Sequence, residues 1–221
     1  LNIRLGKRDT LVANLHAGFI HRKPTFFFRH FHSQSTWWDN YDLSREVRFK
    51  VDGTLRLKKL GTKLQVGFEN VSNYTYFGMQ NTLLKGKDAK SVIPTDFSHA
   101  VGVMQADNVQ VFGASLSQEL KWKIVHWDNR ISYQTSSNQD ALPLPTVDVY
   151  TNLYLLFRIA KVMRVQLGAD MRFFTSYYAP DYSPAIQQFA VQDTNHERIE
   201  IGNYPIIGAY ANLHLKRCRI Y

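Results

Sequence analysis

The stretch Leu43-Ser-Arg-Glu-Val-Arg-Phe-Lys-Val-Asp-Gly-Thr-Leu-Arg-Leu57 alternates between apolar and polar residues. Its odd positions are apolar apart from Arg45 and Gly53, and its even positions are all polar or charged. A strand places each set on its own face, whereas a helix would mix the two sets within two turns. This stretch is longer than the typical globular strand of about 5–6 residues but suits a tilted membrane strand. The pattern therefore predicts a membrane-type β-strand.

The same alternation recurs along the chain and predicts further strands. We expect strands near residues 1–5, 10–20, 43–57, 62–76, 108–119, 122–135, 147–159, 163–175, 205–215 and 218–221. Pro24 to Ser33 is interpreted as an extension of the second strand, because a separate strand there would break the up-and-down parity. Residues 98–106 are likewise expected to lengthen the strand that begins near residue 108.

The connections between these strands alternate between short turns and long loops. Short turns are predicted at Gly6–Asp9, Lys58–Gly61, Leu120–Lys121, Ala160–Val162 and Lys216–Arg217, and long loops at 21–42, 77–107, 136–146 and 176–204. Soluble β-sandwiches have turns at more even spacing, whereas short turns at one end and long loops at the other are typical of outer-membrane barrels. The predicted fold is all-β, an antiparallel up-and-down transmembrane β-barrel of about ten strands in a single domain.

Composition excludes several classes of protein. The chain has 221 residues, of which 44% are hydrophobic and 14% aromatic, so intrinsic disorder is excluded. It contains no apolar run of roughly 18 residues that would form a transmembrane helix. The formal net charge is +9, but the lysines and arginines are dispersed, which argues against a nucleic-acid partner. One cysteine excludes an internal disulfide framework.

The two faces of the predicted strands give the candidate functional residues. Charged residues in a dry barrel core would each cost several kcal/mol if unpaired, whereas a water-filled lumen removes that cost. The pore-lining candidates are Glu46, Arg48, Lys50, Asp52, Arg56, Glu69, Asp170 and Arg172. The lipid-facing candidates are Val47, Phe49, Val51, Val66, Phe68, Leu153, Leu155 and Leu167. The alternative is a soluble sheet whose charged face is solvated and whose apolar faces pack on each other.

The turn between the third and fourth predicted strands fixes their register. Four turn residues, Lys58–Gly61, make Leu57 face Thr62. Counting outward places Val51 opposite Phe68 on the apolar face and Lys50 opposite Glu69 on the polar face. We therefore expect an ion pair between Lys50 and Glu69.

Other motifs carry weaker functional signals. His30-Phe-His32 places two imidazoles on one side of a strand, but no thiolate or carboxylate lies at ligand spacing, so we expect neither a metal nor a cofactor. Trp37-Trp38 is interpreted as loop packing or an aromatic girdle rather than as a sugar-binding platform. No G-x-S-x-G, P-loop, G-x-G-x-x-G or H-E-x-x-H motif occurs, so we expect no enzymatic activity.

The short turns are basic, and we interpret these residues as ordinary solvated turn residues. The alternative is a cationic rim at one end of the barrel that biases permeation toward anions or contacts lipid headgroups. The residues are Lys7, Arg8, Lys58, Lys59, Lys121, Lys161, Lys216 and Arg217.

Several longer segments resemble a known family. They are Gly113-Ala-Ser115, Asp128-Asn-Arg130, Tyr133-Gln-Thr-Ser-Ser-Asn138, Leu142-Pro143, Phe174-Thr-Ser-Tyr-Tyr-Ala-Pro-Asp-Tyr-Ser-Pro-Ala185 and Gly202-Asn-Tyr-Pro-Ile-Ile-Gly-Ala-Tyr-Ala-Asn-Leu-His-Leu-Lys-Arg-Cys-Arg219. Over most of residues 10–221 the sequence is similar to the "putative porin" family of Bacteroidetes outer membranes. The resemblance implies a porin-like outer-membrane β-barrel. Members of that family continue for several strands beyond the Lys-Arg-Cys-Arg turn, so the 221 residues are expected to lack terminal strands of a larger barrel.

The expected function is therefore passive diffusion of small hydrophilic solutes across the cell outer membrane. The expected partners are outer-membrane lipid and the solutes themselves, with a homo-oligomer or other outer-membrane proteins left open. Two alternatives differ in kind. One is a plugged outer-membrane barrel that acts as a surface receptor or structural protein, and the other is a soluble β-sandwich binding module.

Overall fold

The computed structural model describes residues 1–5, 11–34, 36–79, 101–194, 197–215 and 217–220. The elements in chain order are β1 (Asn2–Leu5), β2 (Leu11–Arg22), α1 (Phe26–Arg29), β3 (His30–His32), β4 (Trp37–Asp39), β5 (Glu46–Leu57), β6 (Thr62–Met79), β7 (Val101–Trp122), β8 (Val125–Ser136), β9 (Val147–Ile159), β10 (Met163–Phe174), β11 (Asp181–Ser183), β12 (Gln188–Ala190), β13 (Ile206–Leu215) and β14 (Cys218–Ile220). Among the described residues, no helix has the length and apolarity needed to cross a bilayer.

Ten of these strands form one antiparallel sheet in the order β1-β2-β5-β6-β7-β8-β9-β10-β13-β14. Strands adjacent in this order follow one another along the chain, apart from the two small hairpins β3–β4 and β11–β12, which pair separately. This is the predicted up-and-down antiparallel architecture. Within the described residues β1 and β14 pair with no further strand on their outer sides, and no second large sheet forms the other layer of a sandwich.

The predicted strands are confirmed, with most boundaries shifted by only a few residues. The largest extension is at the start of β7, which begins at Val101, so the expected lengthening before residue 108 occurs over the described part of 98–106. The predicted loop 77–107 is correspondingly shorter, and its residues 80–100 lie outside the described residues, as does the predicted Gly6–Asp9 turn.

The turn between β7 and β8 lies later than predicted. The reversal occurs at Lys123 and Ile124, with Trp122 paired to Val125, rather than at Leu120–Lys121. Lys123 has φ 55, and such a left-handed residue allows a tight two-residue hairpin. The apolar and polar alternation therefore continues to the end of β7.

The predicted extension of β2 through Pro24 to Ser33 is wrong. The strand ends at Arg22, and the chain then forms α1 and the short strand β3, which pairs with β4. Proline has no N–H to continue a strand ladder, so Pro24 ends the pairing. The Phe28 N–H donates to the Thr25 carbonyl oxygen at 3.1 Å and closes the single helical turn that follows.

The predicted register between β5 and β6 is confirmed. Leu57 faces Thr62, Val51 faces Phe68 and Lys50 faces Glu69. A slip of one residue would exchange the two faces of the strand, so this register determines which side chains share each surface.

An apolar cluster lies where β6 and β7 meet the long loops. Trp38, Phe77, Met79, Ile186 and Ala190 are buried there. Chain segments from two different loops therefore pack together at the loop end of the sheet. Backbone hydrogen bonds hold the second of these loops to β6: the Met79 N–H donates to the Val191 carbonyl at 2.7 Å, and the Val191 N–H donates to the Phe77 carbonyl at 2.8 Å.

Candidate functional site

The register of the sheet separates the predicted site residues into two surfaces. Residues directly opposite each other on paired strands point to the same face of a sheet. Following the pairs from β5 to β10 places Arg56 in line with Lys63, Ser117, Arg130, Tyr150 and Arg172. All eight pore-lining candidates share this face, which we call the polar face: Glu46, Arg48, Lys50, Asp52, Arg56, Glu69, Asp170 and Arg172.

The eight lipid-facing candidates share the opposite surface, which we call the apolar face: Val47, Phe49, Val51, Val66, Phe68, Leu153, Leu155 and Leu167. Large side chains on this face are exposed, among them Phe19 (68%), Leu153 (53%) and Ile207 (71%). Soluble monomers rarely expose an apolar patch of this extent, whereas an outer-membrane barrel turns one toward lipid.

The charged side chains on the polar face of β5 and β6 form ion pairs, but not the pair that was predicted. Glu69 pairs with Arg48, with 3.0 Å between Nη1 and Oε1, and Lys50 lies 3.5 Å from Asp52 on its own strand. The expected Lys50–Glu69 ion pair is therefore wrong, although the two residues face each other. The long Arg48 side chain reaches Glu69 diagonally across the two strands. The strand register alone does not predict such a diagonal contact.

Further ion pairs on the polar face lie on strands to either side of β5 and β6. His16 Nδ1 lies 3.3 Å from Asp52, and Arg172 Nε donates to Asp148 Oδ2 at 3.2 Å. Glu46 is buried near the loop end, and its Oε1 accepts a hydrogen bond of 3.1 Å from the Thr75 N–H. The side chains in these ion pairs are all partly exposed to water. Glu46 is the buried exception among the charged residues named here.

An open groove of about 320 Å³ crosses the polar face in the middle of β5, β6, β7 and β8. Gly67 and Gly113 face each other in its floor, and a Cβ added to Gly67 would meet nothing closer than 3.8 Å. Polar side chains around the floor offer both charges and hydrogen-bonding groups: Lys50, Asp52, Gln65, Ser115, Ser132 and Gln134. The groove therefore has room and chemistry for a hydrated solute.

The polar face of β9, β10 and β13 is instead filled by tyrosines. The Tyr210 ring lies over Gly168, because an added Cβ there would be 2.6 Å from its Cζ and hydroxyl oxygen. The Tyr210 hydroxyl donates to Asn152 Oδ1 at 3.0 Å and accepts from Gln166 Nε2 at 3.2 Å. Sequence reasoning missed this network. The sequence signals only part of it: the short turn at residues 160–162 places Tyr154 opposite Gly168, whereas Tyr210 reaches Gly168 across a long loop.

Toward the loop end, the polar face is covered by protein. Val71 and Val109 face each other next to Glu69 on the polar face, and both are buried.

The predicted loop packing of the two tryptophans holds for Trp38, whose Nε1 donates to the Phe27 carbonyl at 2.9 Å. Trp37 is 70% exposed.

The basic residues of the described short turns lie at the opposite end. Lys58, Lys59, Lys161 and Arg217 are exposed in turns, and Lys121 lies at the exposed end of β7. Lys7, Arg8 and Lys216 lie outside the described residues. The polar face therefore has a loop-covered end and a basic turn end.

One cluster combines two imidazoles with a carboxylate. His30 pairs directly with Asp39 across β3 and β4, and His32 Nε2 donates to Asp39 Oδ2 at 3.0 Å. The hydrogen bond from His32 and the charges of both histidines hold the pKa of Asp39 below its ordinary value. The expectation that no carboxylate accompanies the two histidines is wrong, because the hairpin brings Asp39 back beside them.

Comparisons with known proteins agree with this architecture. The structure superposes on the siderophore receptor PirA from Acinetobacter baumannii with a TM-score of 0.54 and 13% sequence identity, over 98% of this chain and 34% of the receptor. The chain thus spans about a third of that receptor's length, and the likeness shows an outer-membrane β-barrel fold. No curated protein matches the sequence significantly. A family model described as "Putative porin" matches residues 1–221, and the chain therefore belongs to this family of porins.

Proposed function

We propose that this chain forms part of the wall of an outer-membrane pore through which small hydrophilic solutes diffuse passively. The observation that carries the proposal is the two-faced sheet, with charged and amide side chains on one surface and exposed aliphatic and aromatic side chains on the other. Family membership supports a porin-type function, and the barrel fold supports a place in the outer membrane.

The polar face would act as the lumenal surface. Charges such as Arg48 and Glu69 remain partly exposed in their ion pair, so water can hydrate them at little desolvation cost. In the groove above Gly67 and Gly113, a solute exchanges its water for side-chain hydroxyls, amides and charges. Passage requires such binding to be weak enough for release. The proposal assigns no catalytic step and no cofactor.

The apolar face would contact lipid, which is the partner we propose for it. In hydrocarbon an unpaired strand edge is costly, because its N–H and C=O groups find no water. The outer edges of β1 and β14 therefore need partners in the membrane, and we propose that additional strands complete the barrel. We propose no nucleic-acid partner.

Reconstitution of the full-length protein into planar lipid bilayers tests the pore directly. We expect stepwise, ohmic conductance and permeation of small sugars in liposome-swelling assays, without added ligand. A fully inserted, folded protein that gives no conductance and no swelling would refute passive diffusion.

A surface receptor is the second candidate, because the loop end of the polar face is covered. Val71 and Val109 are buried there, and Trp38 packs on Phe77 in the adjoining cluster. A receptor of this kind would be closed at rest and would bind a ligand through its outer loops. Removal of residues 25–40 separates the two candidates: a marked gain in conductance would favour the closed receptor, whereas a pore would already conduct before the deletion.

A further inference from the structure

The hairpin of β3 and β4 presents two chemically different surfaces. Phe31 and Trp38 face each other on one side and pack with ring centroids 4.9 Å apart in the apolar cluster. Alternation along both strands turns His30, His32 and Asp39 to the opposite side. The buried aromatic side therefore fixes the backbone that carries these three polar side chains.

The three side chains converge on one point. One ligand atom from each of His30, His32 and Asp39 lies within 4.8 Å of the other two. His30 Nδ1 contacts Asp39 Oδ1, and the two imidazole rings have centroids 4.7 Å apart. Atoms bonded to one tetrahedral ion at about 2.0–2.2 Å lie about 3.3–3.6 Å apart, so small side-chain rotations would bring these three atoms onto one ion.

The carboxylate in this cluster is incompletely satisfied. Asp39 Oδ1 is buried and accepts no well-oriented hydrogen bond among the described residues, even though His30 Nδ1 is beside it. Together with one nitrogen from each imidazole, this carboxylate provides the third ligand atom for a cation.

We propose that His30, His32 and Asp39 form a binding site for a divalent transition-metal ion, with water or an external ligand in the remaining coordination positions. Two imidazoles and one carboxylate suit Zn²⁺, Cu²⁺, Ni²⁺ and Fe²⁺, whereas Mg²⁺ and Ca²⁺ prefer sites built from oxygen atoms alone. His32 and Asp39 are partly exposed, so an ion can enter from solvent. The site does not depend on the pore proposal.

The chain offers a matched control. His16 and Asp52 also form a histidine–carboxylate pair, with 3.3 Å between Nδ1 and Oδ1, but among the described residues no second imidazole joins them. Two protein ligands bind zinc much more weakly than three. His16→Ala should therefore leave zinc binding unchanged, although it removes one imidazole, as His32→Gln does.

Calorimetric titration of the detergent-solubilised full-length protein with Zn²⁺ tests the proposal, with Mg²⁺ as the negative control. We expect one zinc ion per chain, at least about tenfold weaker binding in His32→Gln and Asp39→Asn, and no change in His16→Ala. X-ray absorption at the zinc edge should show two imidazole nitrogens and carboxylate or water oxygens. Gel mobility before and after heating verifies that each variant is folded.

Two zinc-binding results would contradict the proposed metal site. Absence of zinc binding to the folded wild-type protein would overturn the proposal, as would equal zinc affinity of wild type and His32→Gln. Since binding is measured without any current, the metal site can fail while the pore proposal stands. A chain that binds zinc but does not conduct would refute only the pore.

Discussion

The polar face differs between its two halves, although both are built from the same alternating strands. Across β5, β6 and β7 it is an open groove over Gly67 and Gly113. Across β9, β10 and β13 it is covered by the Tyr210 ring, which lies on Gly168 and hydrogen-bonds to its neighbours. Glycine thus has two uses on one surface. It leaves space for solvent in the first half and accommodates an aromatic ring in the second.

In the open half, the surface over the glycines is accessible to solvent and solutes. In the tyrosine-covered half, the same surface is packed against a side chain that stabilises the sheet. A ring packed over a strand glycine excludes water and holds adjacent strands in register, whereas an uncovered glycine contributes little packing. We therefore expect substitutions in the tyrosine-covered half to change stability and those in the open half to change permeation.

The largest effect should come from Val51→Arg, which tests whether the face opposite both halves contacts lipid. If Val51 on the apolar face lies near the middle of the bilayer, the substitution should lower the free energy of unfolding by about 2–4 kcal/mol, because arginine then meets hydrocarbon. Denaturant titrations in lipid vesicles measure this. A neutral effect would mean that the two faces have been exchanged.

Gly168→Ala should destabilise the tyrosine-covered half by about 1–3 kcal/mol through overpacking. The new Cβ would lie 2.7 Å from the Tyr154 Cβ, which cannot move freely, and would displace Tyr210 from its hydrogen bonds. The same titrations measure this change. Unchanged stability would show that Tyr210 does not hold the strands together.

Lys50→Ala should cost at most about 1 kcal/mol, because partly exposed ion pairs contribute little to stability. Its main effect should be on ion selectivity, since one positive charge is removed from the groove while Asp52 remains. Reversal potentials in a salt gradient should shift toward cation selectivity. A destabilisation larger than that of Val51→Arg would contradict the assigned faces.

Gly67→Ala should have the smallest effect on stability, within about 0.5 kcal/mol, and it is the control for Gly168→Ala. Its added Cβ would meet Asp52 Cβ at 3.8 Å, an ordinary van der Waals distance. A larger residue, Gly67→Trp, should reduce single-channel conductance without unfolding the barrel. If Gly67→Ala were as destabilising as Gly168→Ala, the two halves would not differ as described.

Local properties of the sequence determined the strands, their faces and one register. Alternation with a period of two is a property of neighbouring residues, so Leu43–Leu57 was predictable as a two-faced strand. The turn at Lys58–Gly61 then placed Lys50 opposite Glu69, because a short connection leaves few ways to pair two strands.

Only the tertiary structure shows which side chains contact each other when they are not directly opposite on paired strands. Glu69 forms its ion pair with Arg48 rather than with Lys50. This depends on side-chain length and rotamer, which strand pairing does not determine. Asp39 joins His30 and His32 only because α1 and a hairpin replace the expected extension of β2. Tyr210 covers Gly168 because β13 pairs with β10 across a long loop. These contacts join residues separated along the chain, and alternation within single strands carries no information about them.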